Sequence, residues 1–162
     1  MGATKTTRNR GFSYVGFQYY SLTWSCFERQ TYFTQRDHVE LVREQFLRAS
    51  AETRVVNVVT SFMPDHVHQF VKGDAPDADA ATYIHKAKQY SGFYFKKAFG
   101  MKLWVRKGFN HVQLCDREYR ATIAYIIENP VKAGLVKRPE DYPYTGSALH
   151  TMEELIEIAY TI

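Results

Sequence analysis

Cysteine and long apolar runs are both scarce in this chain of 162 residues, and each absence excludes a class of protein. The two cysteines, Cys26 and Cys115, do not form a CxxC pair, which excludes a disulfide-rich scaffold and a thiolate zinc site. No run of about 18 apolar residues occurs, so the sequence predicts no membrane span. Residues 1–10 are polar and basic and lack the apolar core of a secretory signal, so we expect a cytoplasmic protein.

Acidic residues are absent from one long segment. Between Ala80 and Cys115 there is no Asp or Glu, although seven Lys or Arg residues lie there. Because the whole chain carries a net charge of +4, the rest of the sequence is slightly acidic. A basic segment on an acidic body favours a polyanionic partner such as nucleic acid, although an ordinary solvated face gives the same pattern. The residues of this segment that we predict to bind DNA are Lys86, Lys88, Tyr90, Lys96, Lys97, Arg106 and Lys107.

The length and composition predict one domain with a hydrophobic core, since 45% of the residues are hydrophobic. We predict a flexible basic arm over residues 1–16, a single domain over residues 17–150 and a C-terminal helix over residues 151–162. Apolar and aromatic periodicity predicts the order βαββαβα before that helix, which indicates an α+β fold of ferredoxin-like character, an antiparallel sheet with helices packed against it. The predicted strands span residues 17–27, 54–62, 66–72 and 104–114, and the predicted helices span residues 37–50, 80–99, 116–129 and 151–160.

Local signals predict where these helices begin and end. Asp37 and Asp116 have the side chain of an N-cap, because a short carboxylate can accept a hydrogen bond from the first turn. Pro130 lacks an N–H group, so we expect the third helix to end near Asn129.

Two histidines, His66 and His68, are the most informative feature of the sequence. They lie in a predicted strand after the turn at Pro64 and Asp65, so both imidazoles point to the same face. Two neighbouring neutral imidazoles can chelate a divalent cation. Taken alone, the pattern also fits two surface or cross-strand histidines.

The third predicted helix carries a tyrosine outside its apolar stripe. Ile123, Ile127 and Tyr119 belong to the stripe that faces the core, whereas Tyr125 lies on the other side among small and polar residues. Asn129 follows Tyr125 by four residues, hence on the same face and one turn away. A site of two imidazoles and one amide oxygen, with open positions, suits Mg or Mn better than a closed structural zinc site.

Such a site has a definite chemistry. A phenol with a pKa of about 10 is a poor nucleophile at neutral pH, but a cation on a phosphate makes the phosphorus more electrophilic. A tyrosine can then attack the phosphorus and form a phosphotyrosine bond, which keeps the energy needed to rejoin the strand. The basic, aromatic helix over residues 80–99 could hold a single strand by charge and by stacking.

Three stretches of the sequence resemble a known family. Residues 63–68 read MPDHVH, residues 125–136 read YIIENPVKAGLV, and residues 138–144 read RPEDYPY. A His-hydrophobic-His strand followed by a helix with Tyr-x-x-x-Asn resembles the single-tyrosine transposases of the HUH superfamily, and most closely the REP-associated tyrosine transposases. The resemblance extends over residues 19–147. The chain departs from the family pattern at Asn110, where an acidic residue is common, and at Gln69, where an apolar residue is usual.

The resemblance implies a fold, a substrate and residue roles. It implies an HUH nuclease fold in which His66, His68 and Asn129 bind the divalent cation and Tyr125 becomes linked to a 5′ phosphate. The implied substrate is single-stranded DNA near an imperfect, REP-like hairpin. Insertion-sequence relatives form homodimers that exchange the tyrosine helix, whereas REP-associated relatives can be monomers, so a homodimer is one expectation.

Three functions remain open at this stage. The first is metal-dependent cleavage and strand transfer of single-stranded DNA, with a covalent adduct at Tyr125. The second is a catalytically silent module that binds single-stranded DNA or RNA on the same fold. The third is a metal-dependent hydrolase that activates water and forms no adduct. The sequence disfavours it, because it offers only Asp65 and Glu128 as groups that could activate the water.

Overall fold

An antiparallel sheet flanked by four helices makes up the chain over residues 14–161, which are the residues that the computed structural model describes, without the side chains of residues 108 and 109. Short 3₁₀ turns join several of the elements. In chain order these elements are β1 (Tyr19–Cys26), α1 (Arg36–Thr53), β2 (Val55–Met63), β3 (His66–Gly73), α2 (Ala80–Phe99), β4 (Trp104–Leu114), α3 (Tyr119–Lys132), β5 (Thr145–Gly146) and α4 (Met152–Tyr160).

The strand β3 lies at the centre of the sheet, whose order is β4-β1-β3-β2-β5. All four strand pairs are antiparallel. In this register His68 pairs with Thr23 on β1 and with Ser61 on β2. The ferredoxin-like antiparallel sheet expected from the sequence is therefore confirmed, with the addition of the two-residue strand β5 at one edge.

Helices cover both faces of this sheet. On one face α1 and α2 pack on the sheet through buried residues that include Trp24 and Phe46. On the other face α3 and α4 pack around Phe70 and Ile127. Because side chains alternate along β3, Val67 and Val71 enter the first core whereas Phe70 enters the second. Within residues 14–161 no helix combines the length and the apolar character needed to cross a membrane.

Two predicted helix caps are wrong. Helix α1 begins at Arg36 with Gln35 in the N-cap position, and Asp37 lies inside the first turn. There its negative charge still interacts favourably with the positive end of the helix dipole. Asp116 belongs to a separate 3₁₀ turn, so the N-cap position of α3 falls on Glu118.

The end of α3 also differs from the prediction. Pro130 lies within the helix, which continues to Lys132. Gly134 has a φ of +76°, Leu135 donates its backbone N–H to the carbonyl of Pro130, and Gly134 donates to the carbonyl of Val131. These two bonds form a Schellman motif, which satisfies the last carbonyls of the helix. The glycine, rather than the proline, terminates α3, because a proline in the last turn removes only one hydrogen bond.

The predicted arm is wrong at its C-terminal end, at residues 14–16. Tyr14 accepts a backbone hydrogen bond from Ala80, and Gly16 donates one to Ala78, so this segment is attached to the start of α2. Gly73 allows that approach, because a Cβ atom there would lie 1.7 Å from the carbonyl oxygen of Gly16. Residues 1–13 of the predicted arm lie outside the described residues.

The Schellman motif predicts a stability effect at Gly134. Gly134→Ala should lower the free energy of unfolding by about 1–2 kcal/mol, because an L residue is strained in the left-handed conformation. Gly146→Ala is the matched control, since open space surrounds that position and its φ is ordinary. Urea denaturation should show a lower midpoint for Gly134→Ala alone, with an unchanged slope. Equal midpoints would contradict the assignment.

Candidate active site

The two histidines of β3 face each other across a short gap. The Nε2 atoms of His66 and His68 are 3.2 Å apart, and the two rings are perpendicular with centroids 4.8 Å apart. Both side chains lie on the α3 face of the sheet, as the period of two predicts. The structure therefore brings together the two imidazoles that the sequence suggested as a pair.

Each histidine has a partner at its other nitrogen. Nδ1 of His66 is 2.6 Å from a carboxylate oxygen of Asp65, and Nδ1 of His68 is 3.4 Å from the hydroxyl of Thr23. Burial alone would raise the pKa of Asp65, but the hydrogen bond from His66 and the charge of Arg29 bring that pKa below its usual value. An ionised carboxylate only accepts, so Nδ1 of His66 is the donor in this hydrogen bond.

The surroundings of His68 favour its neutral form. Burial, followed by the proximity of His66, lowers the pKa of His68 to about 4. A neutral imidazole can be a metal ligand, whereas a protonated one cannot. The hydroxyl of Thr23 can donate or accept, so it suits either tautomer of His68.

Tyr125 projects from α3 next to this pair. Its ring centroid lies 5.5 Å from that of His68, and the two rings are nearly perpendicular. The side chain is 53% exposed, while Ile123 and Ile127 on the opposite side of the helix are fully buried. The prediction that Tyr125 lies outside the core stripe is confirmed, and its phenol is accessible to a substrate.

Asn129 lies one turn after Tyr125 on the same helix. Among the described residues, its buried Nδ2 has no hydrogen-bond partner. A buried amide atom without a partner is unusual and calls for one. Rotation of the carboxamide by 180° exchanges nitrogen and oxygen, so the same position can present the oxygen that a hard cation prefers.

These side chains are compatible with a divalent cation. Two nitrogens that are each about 2.1 Å from one cation and 3.2 Å from each other subtend about 100° at it, between the octahedral and the tetrahedral angle. No group of three or more His, Cys, Asp or Glu side chains suited to a metal occurs in residues 14–161. A further ligand would therefore come from an amide such as Asn129, from water or from a substrate oxygen.

Two residues that contact the pair escaped the sequence analysis in this role. Thr23 is 45 residues from His68 along the chain, and only the sheet register brings them together. Asp65 was noted only as a possible activator of water, although its position directly before His66 in the turn could have indicated a carboxylate partner. Glu128, the other possible activator of water, accepts a hydrogen bond from Tyr160 and pairs with Lys132.

A family model matches most of the chain. Residues 15–129 match the model of a family described as "Transposase IS200 like". The chain belongs to the IS200-like transposase family. It is also 30% identical, over 84 residues, to the REP-associated tyrosine transposase of Escherichia coli (strain K12). That match covers 51% of this chain and 48% of the relative, so it spans about half the length of the curated protein.

A solved structure shares the fold of this transposase-family chain. It is the structure of a REP-associated tyrosine transposase bound to a REP hairpin, with a TM-score of 0.70 and 20% sequence identity. The match covers 86% of this chain and 82% of that one. The family match over residues 15–129 confirms the family resemblance expected from the sequence.

The seven residues that we predicted to bind DNA do not form one surface. Helix α2 lies on the sheet face opposite to the histidines. Lys86 and Tyr90 both contact Glu52 of α1, the lysine at 3.2 Å and the phenol at 2.7 Å. The guanidinium of Arg48 also stacks on the Tyr90 ring, 3.9 Å from its centroid. These two side chains are thus engaged between α1 and α2.

The other five lie near the C-terminal half of α2 and the start of β4. Lys88 donates a hydrogen bond to the carbonyl of Arg106 and so joins the two elements. Lys96 and Lys97 are exposed, and Lys96 lines a groove together with Lys88 and Trp104. Arg106 and Lys107 are also exposed. The positive charges that are accessible for the predicted DNA binding therefore lie at this end of α2.

Proposed function

We propose that the chain is a transposase that cuts and rejoins single-stranded DNA through a 5′-phosphotyrosine intermediate on Tyr125, with a divalent cation, Mg or Mn, as cofactor. The observation that carries the proposal is the position of the Tyr125 ring beside His68. A solvent-accessible phenol next to a pair of imidazoles supports a nucleophile and a metal-binding pair that act on the same phosphate.

His66 and His68 would hold the cation through Nε2, and Asn129 would supply an oxygen. The cation would polarise the scissile phosphate and stabilise the charge that develops on it. The Tyr125 oxygen attacks the phosphorus and forms a P–O bond, while the bond from phosphorus to the 3′ oxygen of the preceding nucleotide breaks. The proton that the phenol loses is balanced by the proton that the 3′ oxygen gains. Rejoining is the reverse reaction with a different 3′ hydroxyl, so it needs no ATP.

The proposed substrate is a DNA hairpin with unpaired flanks. Two observations support it: the fold matches that of a protein solved with a REP hairpin, and exposed lysines lie near the end of α2. Lysine and arginine contacts to phosphate would position such DNA without reading its sequence.

Removal of one oxygen tests the nucleophile. Tyr125→Phe keeps the ring but should reduce formation of the covalent protein–DNA adduct at least about 100-fold, since no other group replaces the phenolate. A labelled hairpin oligonucleotide, Mn²⁺ and denaturing electrophoresis would measure the adduct. Tyr119→Phe is the control, because the half-buried Tyr119 packs on Phe70 and its hydroxyl is hydrogen-bonded to His150.

The outcomes separate the three functions. An adduct that persists in Tyr125→Phe, or that maps to another tyrosine, would show that the nucleophile is wrong. Strand cleavage by the wild type without any adduct would favour the hydrolase. Hairpin binding without cleavage on every substrate tested would favour the silent binding module.

The histidines should be needed for the metal and not for the fold. His66→Ala should abolish Mn²⁺ binding and cleavage, because it removes one of the two imidazole ligands. Hairpin affinity in chelator should stay within about twofold of the wild type, since no metal is bound in either protein. An open catalytic site also adds little to folding stability. The unfolding free energy in chelator should change by less than about 1 kcal/mol. His85→Ala, at an exposed position on α2, is the control for Mn²⁺ binding and for stability. Cleavage by His66→Ala in the presence of chelator would contradict the proposed metal site.

Charge reversal tests the DNA surface. Lys96→Glu with Lys97→Glu should weaken hairpin binding and make its dependence on salt shallower, because fewer counterions are released. Arg36→Glu with Arg54→Glu makes the same change in net charge at exposed positions outside α2, at the two ends of α1. Fluorescence anisotropy at several salt concentrations would measure both pairs. If the two double variants lose equal affinity, the surface lies elsewhere.

A further inference from the structure

The turn between β2 and β3 is enclosed by the segment that follows β1. Cys26 donates its backbone N–H to the carbonyl of Asp65 at 3.0 Å, and Phe33 donates to the carbonyl of Pro64 at 3.0 Å. The segment between these two contacts begins with a 3₁₀ turn at residues 27–29. It therefore rests directly on the turn that precedes His66.

The backbone of this 3₁₀ turn is strained. Glu28 has a φ of 52° and Arg29 a φ of 53°, so two consecutive non-glycine residues are in the left-handed region. Such conformations persist where surrounding contacts impose them, and they are concentrated at functional sites. Here a hydrogen bond from Phe27 to the carbonyl of Leu103 holds one end of the turn, and a bond from Gln30 back to Phe27 closes it.

The strained turn aims a guanidinium at the partner of His66. Nη2 of Arg29 is 3.0 Å from one carboxylate oxygen of Asp65, whose other oxygen is the one that lies 2.6 Å from Nδ1 of His66. The other nitrogen, Nη1, is 3.4 Å from the hydroxyl of Ser25, which pairs with His66 in the sheet register. The carboxylate of Asp65 is thus held between the guanidinium of Arg29 and the imidazole of His66.

We propose that Arg29 is a positioning residue for the metal site, which acts on His66 through Asp65. A carboxylate that accepts from Nδ1 fixes the ring and leaves Nε2 as the ligand, and loss of such a partner typically weakens metal binding by about 10–100-fold. Arg29 fixes the carboxylate in turn, because its two nitrogens bind Asp65 and β1 at once. This inference rests on the metal site proposed above.

Mn²⁺ binding in the absence of DNA tests the proposal, measured by calorimetry or by electron paramagnetic resonance. Arg29→Ala should weaken Mn²⁺ affinity about 10-fold, and Arg29→Lys should weaken it less, because it keeps the charge but loses the second contact. Arg36→Ala is the matched control, an exposed arginine that pairs with Glu40 on its own helix. Circular dichroism would verify that each variant is folded.

A double-mutant cycle tests the route through Asp65. In an Asp65→Asn background, Arg29→Ala should change Mn²⁺ affinity by less than about twofold, because the carboxylate that it positions is gone. Hairpin affinity in chelator should be the same for Arg29→Ala and for the wild type within about twofold.

Several results would overturn the proposal. Unchanged Mn²⁺ affinity in Arg29→Ala would do so while leaving the metal site intact. An equal loss in both backgrounds would show that Arg29 acts independently of Asp65. A large loss of hairpin affinity in chelator would make Arg29 a DNA contact instead. If the wild type itself bound no Mn²⁺, the proposed metal site and this inference would both fail.

Discussion

The alternation of side chains along the central strand β3 is the constraint on which the rest of the structure depends. Val67 and Val71 point into the core beneath α1 and α2, while His66, His68 and Phe70 point to the face covered by α3. A slip of one residue in the register would turn both imidazoles into the core beneath α1 and α2 and both valines towards α3. Pairing on both sides, with β1 and β2, holds this register fixed.

Gln69 shows the same constraint from the other side of the sheet. It is buried, accepts a hydrogen bond from Trp24 and donates one to the hydroxyl of Tyr83. The polar residue that departs from the family pattern therefore lies in the core, where both ends of its amide are satisfied. It faces away from the histidines, so it supports the strand that carries them without entering the site.

The predictions from sequence succeeded where a short, periodic signal decides the structure. His66 and His68 share a face because of the period of two, and Tyr125 leaves the core stripe because of the helical period. The helix ends were harder, because the end of α3 depends on a left-handed Gly134 that the proline signal concealed. Contacts between distant segments could not be predicted from local patterns. No such pattern pairs Thr23 with His68, and none indicates that Lys86 contacts Glu52, which lies 34 residues earlier in the chain.

The two faces of the sheet also limit how DNA can lie on the protein. Lys96 and Lys97 belong to α2, and the histidines lie on the opposite face of the sheet. Each packed layer of secondary structure between them adds about 10 Å to their separation. Double-stranded DNA has a persistence length of about 150 base pairs, so a duplex cannot bend round the edge of such a thin body within a few base pairs. A strand that reached both places would have to be unpaired where it turns the edge. The thickness of the sheet would then distinguish unpaired from paired DNA by stiffness, before any base is read.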